Sequence, residues 1–240
     1  MADVEAVPAL AAATAAPTKN AGSQTLDRGI RALKMVAAAP GGMTIQEVAD
    51  QLGVHRTIAH RLLGTLNDHH LIARGPDNRF RAGGGLIGLA SGLQSTLRDT
   101  AMPIMRELAE ELDSTVVLLV REGEEVVGIA TAASTKGAYH LAFRTGSRHP
   151  LGRGSAGICL LSALPARPGE RPEVTRARAQ GFAVSRGEVE PAAHGLAVLI
   201  HQGDSEPLAC LNLITHRDDI MAGAAPVMLD GAARVSALLS

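Results

Sequence analysis

The segment from Thr44 to Ala82 constrains the fold of this chain more than any other part of the sequence. Thr44-Ile45-Gln46-Glu47 is a capping-box sequence, in which a hydroxyl and a carboxylate accept hydrogen bonds from free N–H groups at a helix start. That helix ends at Gly53, because glycine readily takes the left-handed conformation of a C′ position. A second helix follows almost at once, over roughly residues 55–67. Two helices joined by so short a turn are typical of proteins that place a helix in the DNA major groove.

The second helix divides into an apolar face and a polar face. At ~100° per residue, five apolar side chains fall on one side, which we expect to be buried. They are Ile58, Ala59, Leu62, Leu63 and Leu66. The opposite side carries Thr57, His60, Arg61 and Gly64, with Arg56 on its flank. Short or forked hydrogen-bond donors of this kind suit base edges and phosphates.

A basic hairpin is predicted directly after this helix. Leu71–Arg74 and Arg79–Ala82 have strand character, and Gly75-Pro76-Asp77-Asn78 between them is a turn sequence. The composition fits a wing whose arginines lie along phosphates. A helical hairpin with a merely solvated polar face is the alternative, and the basic wing argues against it. The predicted DNA contacts are Thr44, Gln46, Arg56, Thr57, His60, Arg61, Arg74, Arg79 and Arg81.

The distribution of charge supports two parts with different partners. The formal net charge of the 240-residue chain is −1, but residues 25–82 carry eight Lys/Arg against five Asp/Glu. A basic N-terminal module on a mildly acidic body favours a nucleic-acid reader joined to a second domain. Both cysteines, Cys159 and Cys210, lie in apolar runs, which favours reduced, buried thiols and a cytoplasmic protein. No apolar run is long enough to span a bilayer, so no membrane partner is expected.

Four regions are predicted along the chain. Residues 1–23 form a disordered Ala-rich tail, 24–84 a winged helix-turn-helix domain, 85–99 a linker or dimerisation helix, and 100–240 an effector-binding domain. In the first helix, we expect the stripe of Leu26, Ile30, Leu33 and Ala37 to face the core. In the linker helix, predicted over 85–98, a narrow apolar stripe favours pairing with another helix, such as one from a second subunit. That stripe is Leu86, Leu89, Leu93 and Leu97.

The C-terminal region has the pattern of helices packed on an antiparallel sheet. Strands are predicted at 114–120, 125–132, 139–144, 195–202 and 208–214, mostly with short turns between them. A glycine-punctuated loop over 146–157 opens a helix, the Pro- and Arg-rich stretch 164–178 is predicted to be loop, and 227–239 to be the last helix. The fold class is therefore α+β.

The order of these parts resembles the IclR-type bacterial transcriptional regulators over about residues 23–240. The residues that carry the resemblance in the N-terminal part are Leu26-Asp27-Arg28-Gly29-Ile30-Arg31-Ala32-Leu33, Pro40-Gly41-Gly42-Met43-Thr44, Gly53 through Leu63, and Arg79-Phe80-Arg81. In the C-terminal part they are Gly146-Ser147-Arg148-His149-Pro150-Leu151, Gly181-Phe182-Ala183-Val184 and Gly187-Glu188. The resemblance implies a winged helix-turn-helix, a linker helix and a GAF-like effector-binding domain in a homodimer or homotetramer. Its partners would be double-stranded operator DNA and a small molecule.

The resemblance also implies where the small molecule binds. The backbone N–H groups of Gly154, Ser155 and Ala156 would hold a carboxylate, since a helix N-terminus favours negative charge. Leu119 and Phe143 would give an apolar wall and Asn212 a polar contact. Ser185 and Gly195 stand where many members carry an acidic residue and some a cysteine, which predicts a roomier or less acidic pocket. Arg153 would add positive charge if it points inward.

An enzyme or nucleotide-binding protein is the competing interpretation. Gly152-Arg153-Gly154-Ser155-Ala156-Gly157 matches the dinucleotide fingerprint, yet so does the run from Gly83 to Gly88, and neither follows a parallel βαβ strand. The elbow motif of hydrolases needs glycine where Arg153 stands. His194, His201 and His216 lack metal-ligand spacing. We therefore predict no catalytic residues, no metal and no cofactor. The sequence favours a regulator over an enzyme, and a repressor over an activator.

Overall fold

The computed structural model describes residues 22–136, 143–201 and 208–239, and the chain divides into two compact units at Leu93 and Gln94. The elements of the first unit are α1 (Gln24–Ala38), α2 (Ile45–Leu52), α3 (Arg56–Asp68), β1 (Ile72–Arg74), β2 (Phe80–Ala82) and α4 (Gly85–Ser91). Those of the second are α5 (Ser95–Glu111), β3 (Thr115–Glu122), β4 (Glu125–Ala133), β5 (Arg148–Pro150), α6 (Gly154–Ser162), α7 (Pro172–Gln180), β6 (Phe182–Arg186), β7 (His194–Ile200), β8 (Ala209–Thr215) and α8 (Asp218–Leu239).

The first unit is a winged helix-turn-helix, as the sequence predicts. Thr44 and Glu47 form both hydrogen bonds of the capping box at the start of α2. Gly53 ends that helix with φ +64°, the left-handed conformation that glycine adopts without strain. β1 and β2 pair antiparallel, and Met43 makes a further bridge to Phe80 of β2. One apolar core joins α1, α2, α3 and the hairpin.

Helix α1 buries a different face from the one that the leucine spacing predicts. Ala32 and Val36 are fully buried, whereas Leu26 is 63% exposed and Ile30 is 44% exposed. The predicted stripe is therefore wrong: the buried face of α1 is displaced from it by about one residue around the helix axis. The small residue Gly29 lies against Leu62 of α3, so α1 packs closely on the side that bears its small and β-branched residues. Two large apolar side chains of α1, Leu26 and Ile30, are therefore left exposed.

The predicted linker helix over residues 85–98 is wrong, because two helices replace it. α4 ends at Ser91, and Gln94 has φ +48°, which a continuous helix does not allow. The glycines that punctuate this stretch lower its helix propensity and so favour a break. The leucine stripe is split accordingly: Leu89 is 71% exposed in the first unit, whereas Leu97 is buried in the core of the second.

The second unit is a six-stranded antiparallel sheet with helices on both faces. The strand order is β5-β4-β3-β8-β7-β6. Side chains alternate between the faces, so Leu118 packs with α5 and α8 on one side, and Leu119 packs with α6 and α7 on the other. No helix in the described part of the chain is long and apolar enough to cross a membrane.

Three elements of the second unit differ from the sequence predictions. The stretch predicted to be loop contains α7, which has Pro172 in its first turn and ends at Gly181 with φ +83°. Such signals mark a helix despite the Pro- and Arg-rich composition. β5 lies within the predicted glycine loop, and α8 begins nine residues before its predicted start and continues through Pro226. Most of the strand predicted at 139–144 lies outside the described residues.

Candidate nucleic-acid interface and ligand site

Helix α3 presents the polar face that the sequence predicts. Arg56, Thr57, His60 and Arg61 are all exposed, and Ala59, Leu62 and Leu63 are buried. Ile58 was expected in the core and is 40% exposed, so that part of the prediction is wrong. The fully buried stripe of α3 is therefore narrower than predicted and consists of Ala59, Leu62 and Leu63.

The sequence interpretation did not identify the residue that caps the start of α3. His55 is the N-cap, and its Nδ1 accepts a hydrogen bond from the Thr57 N–H at 3.4 Å. The same nitrogen lies 3.1 Å from the Thr57 hydroxyl. Histidine is not among the preferred capping residues, so its position before a helical pattern gave no signal. His55 therefore fixes the first turn of α3 and the position of Thr57.

Thr44 and Gln46, two of the predicted DNA contacts, lie at the start of α2. The Thr44 hydroxyl accepts from the Glu47 N–H at 3.2 Å, and Thr44 itself is half-buried. Gln46 is exposed, and its amide donates to Asp50 at 2.8 Å. Thr44 is thus used in capping, while Gln46 faces solvent beside an acidic partner.

The three arginines of the wing have different surroundings. Arg74 is exposed, and its guanidinium lies over the Phe80 ring, 5.8 Å from the centroid. Arg79 contacts both carboxylate oxygens of Glu47, at 3.0 and 3.1 Å. Arg81 contacts both carboxylate oxygens of Asp77, at 3.0 and 2.6 Å. Arg79 and Arg81, expected along phosphates, therefore each have an acidic partner inside the unit.

The pKa shifts at the wing follow from these contacts. The pKa of Glu47 is lowered, first by the hydrogen bond from the Thr44 backbone and then by the one from Arg79. Arg81 holds the pKa of Asp77 well below its usual range. Both carboxylates therefore remain charged at neutral pH and offset the two arginines. Among the described residues of this unit, no salt bridge involves Arg56, Arg61 or Arg74, so no carboxylate of the unit offsets their charges.

In the second unit, the predicted ligand residues meet at the N-terminus of α6. The Ser155 hydroxyl donates to Asn212 Oδ1 on β8 at 2.7 Å, and both residues are buried. The Ser155 N–H donates to the hydroxyl of Ser185 on β6, also at 2.7 Å. Leu119 and Phe143 lie in the apolar cluster on the same face of the sheet, and Ala156 is part of it. The structure thus brings together residues that are far apart in the sequence.

A carboxylate of the chain itself occupies the start of α6. Glu188, in the loop after β6, accepts from the Gly154 N–H at 3.0 Å. Arg171 contacts both oxygens of the same carboxylate at 3.1 Å. The pKa of Glu188 is lowered, chiefly by Arg171 and also by the Gly154 N–H. Arg153 is exposed and donates to the Glu188 backbone oxygen. Sequence reasoning included neither Arg171 nor the Glu188 carboxylate in the site.

The prediction that Gly195 makes the pocket roomier is wrong. The space that a Cβ at Gly195 would need is taken by the Ser155 hydroxyl, which lies closer than 3.0 Å to that position. Ser185 Oγ lies 3.3 Å from it. The absence of a side chain at this position therefore allows α6 to approach the sheet and leaves no additional space for a ligand.

The geometry around the Gly152–Gly157 loop does not support a dinucleotide site. The preceding strand, β5, pairs antiparallel with β4, whereas the fingerprint belongs to a parallel βαβ unit. The Gly154 N–H that would approach a pyrophosphate is bonded to a carboxylate, which an anionic ligand would have to displace. Cys159, on the same helix, is buried in the apolar cluster with Cys210.

Similar proteins agree with this architecture. The IclR helix-turn-helix domain model matches residues 25–76, and the model for the C-terminal domain of the bacterial transcriptional regulator IclR matches residues 93–171. The chain is 29% identical over 148 residues to HTH-type transcriptional regulator TtgV of Pseudomonas putida, a match that covers 61% of this chain and 57% of TtgV. It is 30% identical over 159 residues to the acetate operon repressor of Salmonella typhimurium, covering 64% of this chain and 57% of the repressor. The matched part spans a little more than half the length of these curated relatives.

Solved structures share the fold. An IclR homologue from Microbacterium hydrocarbonoxydans, complexed with 4-hydroxybenzoate, superposes with a TM-score of 0.75 at 21% identity, covering 90% of this chain and 99% of that one. An IclR regulator from Alicyclobacillus acidocaldarius gives 0.73 at 22% identity, covering 91% and 100%. With both domain models matched in order, and the winged helix-turn-helix and antiparallel-sheet units in place, this chain belongs to the IclR family of bacterial transcriptional regulators.

Proposed function

We propose that the protein is a sequence-specific DNA-binding regulator, with repression favoured over activation, whose operator binding changes when a small carboxylate-bearing metabolite binds the second unit. The observation that carries the proposal is the exposed polar face of α3. It lies opposite the buried apolar stripe of the same helix, and the hairpin wing follows the helix in the chain. The matches to regulators that include an operon repressor support it. We propose that the protein has no enzymatic activity and that it acts by binding operator DNA in the cytoplasm.

Within the DNA-reading surface, we propose a division of labour. Thr57, His60 and Arg61 on α3 would contact base edges, because short donors and forked guanidinium groups suit them. Arg56 at the start of α3 and Arg74 on the wing would contact phosphates, which fix the position of the protein without reading sequence. Thr44 and Gln46, at the N-terminus of α2, would approach the backbone of the DNA, where a helix N-terminus favours negative charge.

A second copy of the chain is expected to complete the reading surface. Leu26 and Ile30 on α1, and Ile87 and Leu89 on α4, are large apolar side chains exposed on the first unit. Their cover by another copy would remove apolar area from water. Two copies would present two α3 helices to half-sites about one helical turn apart, or a multiple of that. A homodimer, or a homotetramer built from it, is therefore part of the proposal.

For the effector, we propose the region where α6 meets the sheet, at Gly154, Ser155 and Ala156. Glu188 already places a carboxylate on the Gly154 N–H, which supports the idea that this position suits an anion. A metabolite carboxylate would replace Glu188 there and gain Arg171 as partner. Leu119, Phe143 and Asn212 are proposed to contact the remainder of the molecule. The homologue bound to 4-hydroxybenzoate is an example of a carboxylate ligand in this fold.

Sequencing of genomic fragments captured by the purified protein tests the proposal. We expect enrichment of a few palindromic sites, each lost when the salt concentration rises, because phosphate contacts release counterions. Genes beside those sites would give effector candidates, which are then tested for release of the same fragments. Uniform, weak capture of all fragments, with and without candidate metabolites, would refute sequence-specific regulation.

A further inference from the structure

We infer that Arg79 is a positioning residue of the wing and does not contact phosphate. The inference rests on the proposed DNA-binding function and refines it. Arg79 Nη1 donates to the Gly42 carbonyl at 2.8 Å and to Glu47 Oε2 at 3.0 Å, while Nη2 donates to Glu47 Oε1 at 3.1 Å. The guanidinium thus has two fixed partners, which lie in the turn before α2 and in α2 itself.

Glu47 links the wing to the helix that supports α3. Its Oε2 accepts from the Thr44 N–H at 2.7 Å as part of the capping box and from Arg79 at the same time. One carboxylate therefore caps the start of α2 and also binds the residue that precedes β2. Because Arg79 lies 32 residues from Glu47 in the sequence, this pair joins elements that the local capping box alone would leave independent.

The backbone of β2 is attached at the same place. The Met43 N–H donates to the Phe80 carbonyl at 2.9 Å, and the Phe80 N–H donates to the Met43 carbonyl at 2.7 Å. Arg81 adds a hydrogen bond to the Gly41 carbonyl at 3.2 Å. A Cβ at Gly42 would lie closer than 3.0 Å to Phe80 O, so the turn and the strand are in close contact. These contacts fix the wing against the start of α2.

The charges around Arg79 and Arg74 indicate which of the two arginines positions the wing and which contacts phosphate. The pKa of Glu47 is lowered, so its carboxylate remains negative at neutral pH and offsets the charge of Arg79, which weakens the attraction of this guanidinium for a phosphate. Arg74, in contrast, is exposed and contacts an uncharged ring, so its charge is available to DNA. Among the wing arginines, the geometry therefore favours Arg74 for the phosphate contact and Arg79 for fixing the wing.

The decisive variant is Glu47→Gln in the full chain, with Asp50→Asn on the same helix as the matched control. Glutamine still serves in a capping box, but it removes the charge that holds Arg79. Both variants make the surface more positive by one charge, which by itself strengthens DNA binding. Positioning predicts that Glu47→Gln weakens binding about twofold to fivefold, the range of a partly exposed ion pair, while Asp50→Asn does not weaken it.

Binding is measured on a short duplex that carries the site enriched by the wild-type protein and on a mixed-sequence duplex. If Glu47→Gln binds as tightly as Asp50→Asn or more tightly, the Glu47 contact does not position the wing for DNA, and the inference is overturned. Hydrogen exchange of the Phe80 N–H gives a readout without DNA: it should accelerate in Glu47→Gln, and unchanged exchange would overturn the inference too. Failure of the wild-type protein to bind either duplex would instead count against the proposed function.

Discussion

The Ser155 hydroxyl packs against Gly195 and occupies the space that a Cβ on Gly195 would need. This contact brings the first turn of α6 onto β7 and lets Ser155 reach Asn212 on the neighbouring strand. The proposed effector site depends on this close approach. A residue with any side chain at position 195 would separate the helix from the sheet.

Gly195→Ala is therefore expected to lower the free energy of unfolding by about 1–3 kcal/mol, the usual cost of inserting a methyl group into packed structure. Gly223→Ala is the matched control, since Gly223 is exposed in α8 and a Cβ there would meet nothing within 4 Å. That change should raise stability by up to about 1 kcal/mol through helix propensity. Denaturant unfolding of both variants measures the difference, and equal effects would contradict the packing at Gly195.

Arg61→Ala and Arg74→Ala should weaken DNA binding in different ways. Loss of a base contact at Arg61 should reduce affinity for the enriched site roughly tenfold to 100-fold and leave mixed-sequence binding much less affected. Loss of a phosphate contact at Arg74 should weaken binding to the enriched site and to mixed-sequence DNA alike. It should also reduce the slope of log affinity against log salt concentration by about 0.9. Fluorescence titrations at several salt concentrations measure both, with Arg176→Ala, an exposed arginine of the second unit, as control. Unchanged affinity in both variants would contradict the assignment of these surfaces.

Glu188→Gln should loosen the loop after β6 from α6. The variant removes the charge that Arg171 holds and weakens the acceptor of the Gly154 N–H, so this amide should exchange its hydrogen faster. Ser185→Ala is the control, because it should accelerate hydrogen exchange of the neighbouring Ser155 amide and not that of Gly154. Hydrogen exchange followed by mass spectrometry of α6 peptides measures both effects. Equal protection of Gly154 in the variant and the wild type would show that Glu188 does not hold this helix end.

Glu170 should give the second unit a contribution to stability that depends on pH. Arg178 lowers the pKa of Glu170 from 4.5 to about 2. It also donates to the carbonyl of Ser162, the last residue of α6, and to that of Leu164 just beyond the helix. A lowered carboxyl pKa stabilises the folded state above the unfolded value and loses that effect as pH falls towards the folded value. The stability difference between wild type and Glu170→Gln should thus be constant near neutral pH and shrink between about pH 4.5 and 2. A difference that stays constant down to pH 3 would contradict this pairing.

The sequence by itself determined the winged helix-turn-helix and the α+β class. Three local signals carried this prediction: the capping box at Thr44, the helix-ending Gly53 and the turn Gly75-Pro76-Asp77-Asn78. Each depends only on residues a few positions away, so it can be recognised before the tertiary structure is known. The apolar run at 114–120 likewise predicted a strand, but such a run does not identify the neighbouring strands or the helices that cover each face.

Only the tertiary structure decided which chemical groups are available. Whether Leu26 or Val36 of α1 is buried depends on the shape of α3, and whether Arg79 is free depends on Glu47, which lies 32 residues away. The same holds for Glu188, whose carboxylate reaches Gly154 across 34 residues. A local pattern states that a residue is charged or apolar. Its partner is fixed by packing between distant segments, which is why the recognition elements were predictable and the bonding of their side chains was not.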